Sequence, residues 1–173
     1  MVPLAQLWLP ALVSAILIFA ASSVIHMLLK WHNAEYRPFT DEEAVRAAMR
    51  GNPAGQYVVP YIGDMKRMKE PEMQRKFSEG PVAFVTMRRA GSFSMGAPLA
   101  LWFAYTFVIS AIAGRVTLGL PTAAGVVAFV AYAGGAIQHG IWMGKPWSSV
   151  TKEVLDAAIY AVITGAAFAW FFR

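Results

Sequence analysis

Three ionisable side chains in this 173-residue chain fall at matched depths inside its apolar segments. His26 lies four residues before Lys30, His139 six before Lys145, and Asp156 four after Lys152. At about 1.5 Å of rise per helical residue, each sits about 6–9 Å inside the same charged boundary. Gln138 and Tyr160 are one step away and complete a polar intramembrane layer. Ionisable groups in a membrane span are costly and face a bundle interior or a water-filled cavity, which makes them site candidates. Two imidazoles and a carboxylate are donors for a metal ion. His26 and His139 are also the ligand type of a haem, with Asp156 as a third ligand or as the group that orients one. The same trio suits a proton relay or acid–base work. Against both stands a structural role, in which hydrogen bonds across helices near the interface lock helix register. Two histidines without a CxxCH or HExxH spacing favour the structural role.

Four apolar segments must position these groups, spanning about residues 4–29, 95–113, 121–142 and 151–172. With 57% hydrophobic and 14% charged residues, the chain is far more apolar than a soluble domain. The first segment runs without a charge to Lys30 and exits through Trp31, His32, Asn33 and Glu35, an interfacial pattern. No cation precedes it, so it reads as an uncleaved helix rather than a signal peptide, despite the small residues at 20–23. Ser14, Ala15 and residues 20–23 form a small-residue stripe suited to close helix packing. In the third segment, Ala131, Gly134, Gly135 and Gln138 make it the helix expected to be buried among the others, and in the fourth Ala161 and Gly165 form a small-xxx-small pair. Ser148 or Ser149 is expected to cap the fourth. With the N-terminus outside, thirteen of the fifteen lysines and arginines fall on the inner side, leaving Arg115 and Arg173 outside. The expected fold is an all-α membrane protein, a single membrane domain over residues 1–173. It is a four-transmembrane-helix bundle with a mostly helical cytoplasmic segment, about residues 31–94, between helices 1 and 2. Both termini are expected on the periplasmic or extracellular side of a bacterial inner membrane.

Within that inner segment, Thr40 to Glu43 reads as a capping box, and Gly51-Asn52-Pro53 stops the helix it starts. Residues 70–79 read as a second helix, with Pro71 in its first turn and Gly80 past its end. Gly55 to Met65 is expected as extended chain rather than a strand in a sheet, and Pro81 to Met87 as a short apolar dip. Lys66, Arg67, Lys69, Arg75, Lys76, Arg88 and Arg89 form a basic set that is either a solvated face or a docking surface for anionic lipid head groups or an acidic partner.

Several chemistries are excluded or disfavoured. Without cysteine there is no disulfide, thiolate metal site, iron–sulfur cluster or cysteine nucleophile. The net charge of +5 does not form a basic stripe interleaved with aromatics, so no nucleic-acid partner is expected. Met65, Met68, Met73, Met87 and Met95 are irregularly spaced and read as packing residues rather than a copper relay. Residues 91–96 lack the spacing of a phosphate-binding loop. His32, outside the span, reads as a solvated or interfacial side chain.

The stretches Ser22–Tyr36, Gly80–Met87, Ser94–Tyr105 and Ile141–Ala166 together resemble a family of small bacterial four-helix integral membrane proteins. The resemblance covers most of the chain and implies the architecture; it carries no reaction, ligand or partner. The leading expectation is a non-enzymatic membrane scaffold or accessory subunit that contacts membrane lipids and assembles with itself or with a larger complex, without a cofactor. One alternative is a membrane metal- or haem-binding redox protein using His26 and His139, with Asp156 as the third metal candidate. The other is a small proton-coupled transporter or channel.

Overall fold

A computed structural model describes residues 3–92, 94–118 and 120–172. Among these residues the helices are α1 (Leu4–Ser23), α2 (Glu42–Met49), α3 (Pro71–Glu79), α4 (Gly96–Val116), α5 (Pro121–Met143) and α6 (Trp147–Phe171). Two strands, β1 (Gly55–Val59) and β2 (Ala83–Met87), complete the set. Four helices, α1 with the turn that continues it, α4, α5 and α6, are long and apolar enough to cross a membrane, which makes the chain a multi-pass membrane protein by length and composition. Their ends fall within a few residues of the expected spans. The largest shift is at α6, which begins at Trp147 behind Pro146, whose fixed φ suits a helix entrance. Ser148 and Ser149 therefore lie inside the first turn and do not cap it.

Contacts divide the chain into two compact units, residues 1–37 with 94–173, and residues 38–93. In the first, α5 and α6 approach most closely. A Cβ on Gly125 would lie 3.0 Å from the Ala161 carbonyl oxygen, and one on Gly165 would lie 3.2 Å from that of Pro121. The Ala161–Gly165 pair thus does what small residues do between spans, letting backbones touch. The packed stripe of α5 is Ala124, Ala128, Ala133, Ala136 and Gly140. The third span is expected to be the most buried, but α6 rather than α5 buries the largest share of its span, and Ala131, Gly135 and Gln138 are exposed. Large aliphatic residues, Val126, Val130, Ile137 and Ile141, share the exposed face of α5, and alanine and glycine occupy the positions that pack.

The middle of the bundle is held by hydroxyls. Ser110 Oγ lies 2.9 Å from Ser14 Oγ, Ser14 donates to Thr164 Oγ1 at 3.2 Å, and Thr164 donates to the Tyr160 carbonyl at 2.9 Å. All three side chains are fully buried, so α1, α4 and α6 are tied by satisfied polar groups. Ser14→Ala removes two interhelical bonds at once and is expected to cost on the order of 1–2 kcal/mol. Thermal unfolding in detergent checks this, and a change of only a few tenths would show that the hydroxyls contribute no net energy. Beyond this layer, at the end away from His26, Leu7, Ala113, Ala124 and Phe168 form a buried apolar cluster.

The second unit is not mostly helical. β1 and β2 pair antiparallel, from Gly55 opposite Met87 to Val59 opposite Ala83. The two stretches read as extended chain and as an apolar dip are therefore one sheet. Each is five residues long and lies far from its partner in sequence, so neither declares the pairing by itself. The cap of α2 is Asp41 rather than Thr40; its carboxylate accepts from the Ala44 amide at 2.8 Å. α3 starts at Pro71 and ends at Gly80, whose φ of +67° suits glycine, and it buries Met73.

Candidate functional site

α1 does not end cleanly. After Ser23 it widens into a π turn over Val24–Leu28, with the Leu29 amide reaching the Val24 carbonyl five residues back at 3.1 Å. Such widened turns recur at functional sites. Lys30 then adopts a left-handed backbone, φ +54°, uncommon for a residue with a Cβ. That reversal starts a 3₁₀ turn over Trp31–Glu35, which is fastened to α6: Lys152 Nζ donates to the Trp31 carbonyl at 2.5 Å and lies 3.7 Å from the Glu35 carboxylate.

This fastening brings His32 into the site. One ligand atom each from His26, His32 and Asp156 lie within 4.8 Å of one another. His32 Nε2 is 2.9 Å from Asp156 Oδ2, and His26 Nε2 is 3.9 Å from the same oxygen. The other nitrogen of each ring already has an acceptor. His26 Nδ1 faces the Ser22 carbonyl at 3.0 Å, and His32 Nδ1 faces Glu35 Oε1 at 2.6 Å. A carbonyl only accepts, so we assign the His26 proton to Nδ1, which leaves Nε2 as a lone-pair donor. Histidines that hold metals use this division, one nitrogen on the ion and the other donating to a carbonyl or carboxylate.

Asp156 supplies a second sign. Its side chain is 6% exposed, and its Oδ1 is buried without a hydrogen-bond partner among the described residues. An unpaired buried carboxylate oxygen is expensive, and a cation held by both oxygens removes the deficit. The ring geometry sets one condition on binding. His26 and His32 stack with centroids 4.6 Å apart and planes 1° from parallel, and His32 Nε2 donates to Asp156 Oδ2, a proton that a bound ion must replace. A single ion in both ring planes requires a tilt. His26, 49% exposed against 12% for His32, has the room to make it.

The cluster opens onto a cavity of about 600 Å³ among α1, α4, α5 and α6. His26, His139, Asp156 and Tyr160 all line it, as their shared depth implies. Gln138 is exposed and outside the lining. His139 faces the cavity but is not one of the three converging ligands. At the base of the cavity Trp102, Tyr105, Tyr132 and Tyr160 pack ring to ring, with centroids 5.4–6.1 Å apart. Glu153, which lines the cavity, forms an ion pair with Lys145. In the unit of residues 38–93, the basic set Lys66, Arg67, Lys69, Arg75, Lys76, Arg88 and Arg89 is exposed throughout. Arg67 pairs with Glu70 at 3.3 Å and Lys76 with Glu72 at 2.7 Å, exposed pairs that contribute little to stability.

His32 and Glu35 follow the span, and His32 reads from the sequence as a solvated or interfacial side chain; the structure places it beside Asp156. Their spacing, three residues apart, was the available signal: on a helical turn it puts an imidazole beside a carboxylate. Glu35→Gln keeps the shape but weakens the acceptor for the His32 Nδ1 proton, and is expected to lower metal affinity about 10–100-fold by titration of the metal-free protein. Unchanged affinity would remove Glu35 from the site. Comparison with models of protein families, with curated proteins and with solved structures gives no match in any of the three.

Proposed function

We propose that this chain is a metal-binding protein of the bacterial inner membrane, its termini on the far side from the cytosol, which holds one divalent first-row ion at His26, His32 and Asp156. The observation that carries it is the convergence of three ligand atoms within 4.8 Å, from two rings whose second nitrogens are already committed. Two imidazoles and one carboxylate suit zinc or ferrous iron and are a poor match for magnesium or calcium. Three protein ligands leave positions open for a further ligand, as in sites that act on something rather than merely brace a fold. Metal binding thereby moves ahead of a purely scaffolding role. Assembly with further copies or a larger complex is compatible with it, and the exposed cations of residues 66–89 suit anionic head groups on the inner side.

A haem between His26 and His139 has less support, since His26 stacks on His32 and turns Nε2 toward Asp156. A proton path has less support too, since the side chains of Leu7, Ala113, Ala124 and Phe168, buried beyond the hydroxyl layer, are apolar.

The test is metal analysis of full-length protein purified in detergent, stripped with chelator and reloaded. Close to one equivalent of zinc or iron per chain is expected, retained by His139→Ala and lost by His26→Ala. Protein that takes up no ion at stoichiometric level would overturn the proposal.

A further inference from the structure

We propose that the cavity beside the metal receives a single-chain carboxylate amphiphile, whose head completes the coordination of the ion and whose chain lies among the aromatic side chains. This rests on the metal-binding function proposed above and names what the site would act on. Three observations carry it. First, two of the three ligands, His26 and Asp156, line the cavity, so open positions on the ion face into it. Second, Phe19, Met27, Leu99, Trp102 and Tyr105 give the lining a large apolar and aromatic share, alongside the polar Ser22, Ser23, His139 and Glu153. A volume of about 600 Å³ is within the range of small-molecule sites.

Third, the charges favour an anion. Lys145 is paired with Glu153, and Lys152 lies 3.7 Å from Glu35. Asp156 is then the one carboxylate set against a divalent ion, and the site keeps one positive charge in excess. An anionic oxygen donor cancels that excess; a neutral alcohol does not. The site also lies near a predicted membrane boundary, where such a molecule has its head in the polar region and its chain in the apolar one. No covalent step is implied, only coordination.

The experiment uses full-length protein in amphipol, loaded with Co²⁺, whose visible d–d bands report its ligands. Laurate is expected to shift those bands saturably. Acetate, which has the head without the chain, should need at least about 100-fold higher concentration, the gain expected from burying a few methylenes. Dodecanol should leave the bands unmoved. Leu99→Trp, which fills the cavity, should abolish the laurate response while sparing the acetate response, showing that the ion site survives. A cobalt spectrum that ignores laurate, or that laurate and acetate move at equal concentration, overturns this inference alone. Failure to bind cobalt at all overturns the metal site and this inference with it.

Discussion

Replacing His32 with alanine is expected to weaken metal binding by more than the 10–100-fold typical of losing an outer partner, about 100-fold or beyond, while His139→Ala leaves affinity unchanged within error. The difference follows from geometry, because both histidines lie near the same end of the bundle. His32 is 12% exposed, its Nε2 is 2.9 Å from Asp156, and its Nδ1 is held by Glu35. It arrives pre-oriented, so removing it deletes a ligand whose ordering cost is already met. His139 lines the cavity without joining the convergence. Isothermal titration of the stripped protein with zinc separates the two, and circular dichroism verifies that each variant keeps its helices. Loss of binding in His139→Ala with none in His32→Ala would restore the His26, His139 and Asp156 set expected from depth alone.

The second large effect lies at the other end of the bundle. A Cβ on Gly114 would fall 2.2 Å from Phe168 Cε1 and 2.4 Å from its Cζ, with Leu7 Cδ2 at 3.2 Å. Phe168 is the end of a side chain, which would be cheap to displace were it exposed. It is fully buried and stacks on Phe172 at 6.0 Å, so it has nowhere to go. Gly114→Ala is expected to cost about 1–3 kcal/mol, and Gly114→Val enough to prevent recovery of folded protein. Adding Phe168→Leu to Gly114→Ala should return part of the loss, with a coupling of about 0.5–3 kcal/mol in a double-mutant cycle. A neutral Gly114→Ala, or strict additivity with Phe168→Leu, would mean that α1, α4 and α6 do not meet there as described.

These two sites differ in how far they could be read in advance. The four spans were legible because hydrocarbon demands long uncharged helices, and few other sequences satisfy that demand. Depth was legible too, since the rise per residue is fixed, and it placed His26, His139, Asp156 and Tyr160 around one cavity. Rotation about each helix axis was not. Gln138 and His139 are adjacent, yet only His139 lines the cavity, and nothing in the surrounding glycines and alanines distinguishes them. His32, read from the sequence as solvated or interfacial, lies 2.9 Å from Asp156. A left-handed Lys30 reverses the chain just where the apolar run ends, and hydropathy carries no information on such a reversal. The β1–β2 pairing was hidden for a related reason, as strand partners far apart in sequence reveal each other only on folding. On α5 the division was there to be read, with Val126, Val130, Ile137 and Ile141 on one exposed face and alanines at the buried positions.

The depth of the proposed metal site also bears on its use. A site at the membrane midplane would be shut off from water, and one on the surface would lose its apolar wall. His26 belongs to a π turn at the very end of α1, so one ligand faces the cavity from a turn that can adjust while Asp156 stays fixed on α6. His26→Ala and Asp156→Asn therefore should differ. Asp156→Asn leaves the buried position neutral and removes the carboxylate shared by both rings, whereas His26→Ala removes the most exposed ligand and leaves the His32–Asp156 contact in place.

X-ray absorption at the metal edge of the full-length, zinc-reloaded protein tests the ion site most directly. The expected first shell holds two imidazole nitrogens at about 2.0–2.1 Å with oxygen donors beside them, and one imidazole signal disappears in His32→Ala. A shell of oxygens alone, or a spectrum that His32→Ala leaves unaltered, would contradict a centre built from His26, His32 and Asp156.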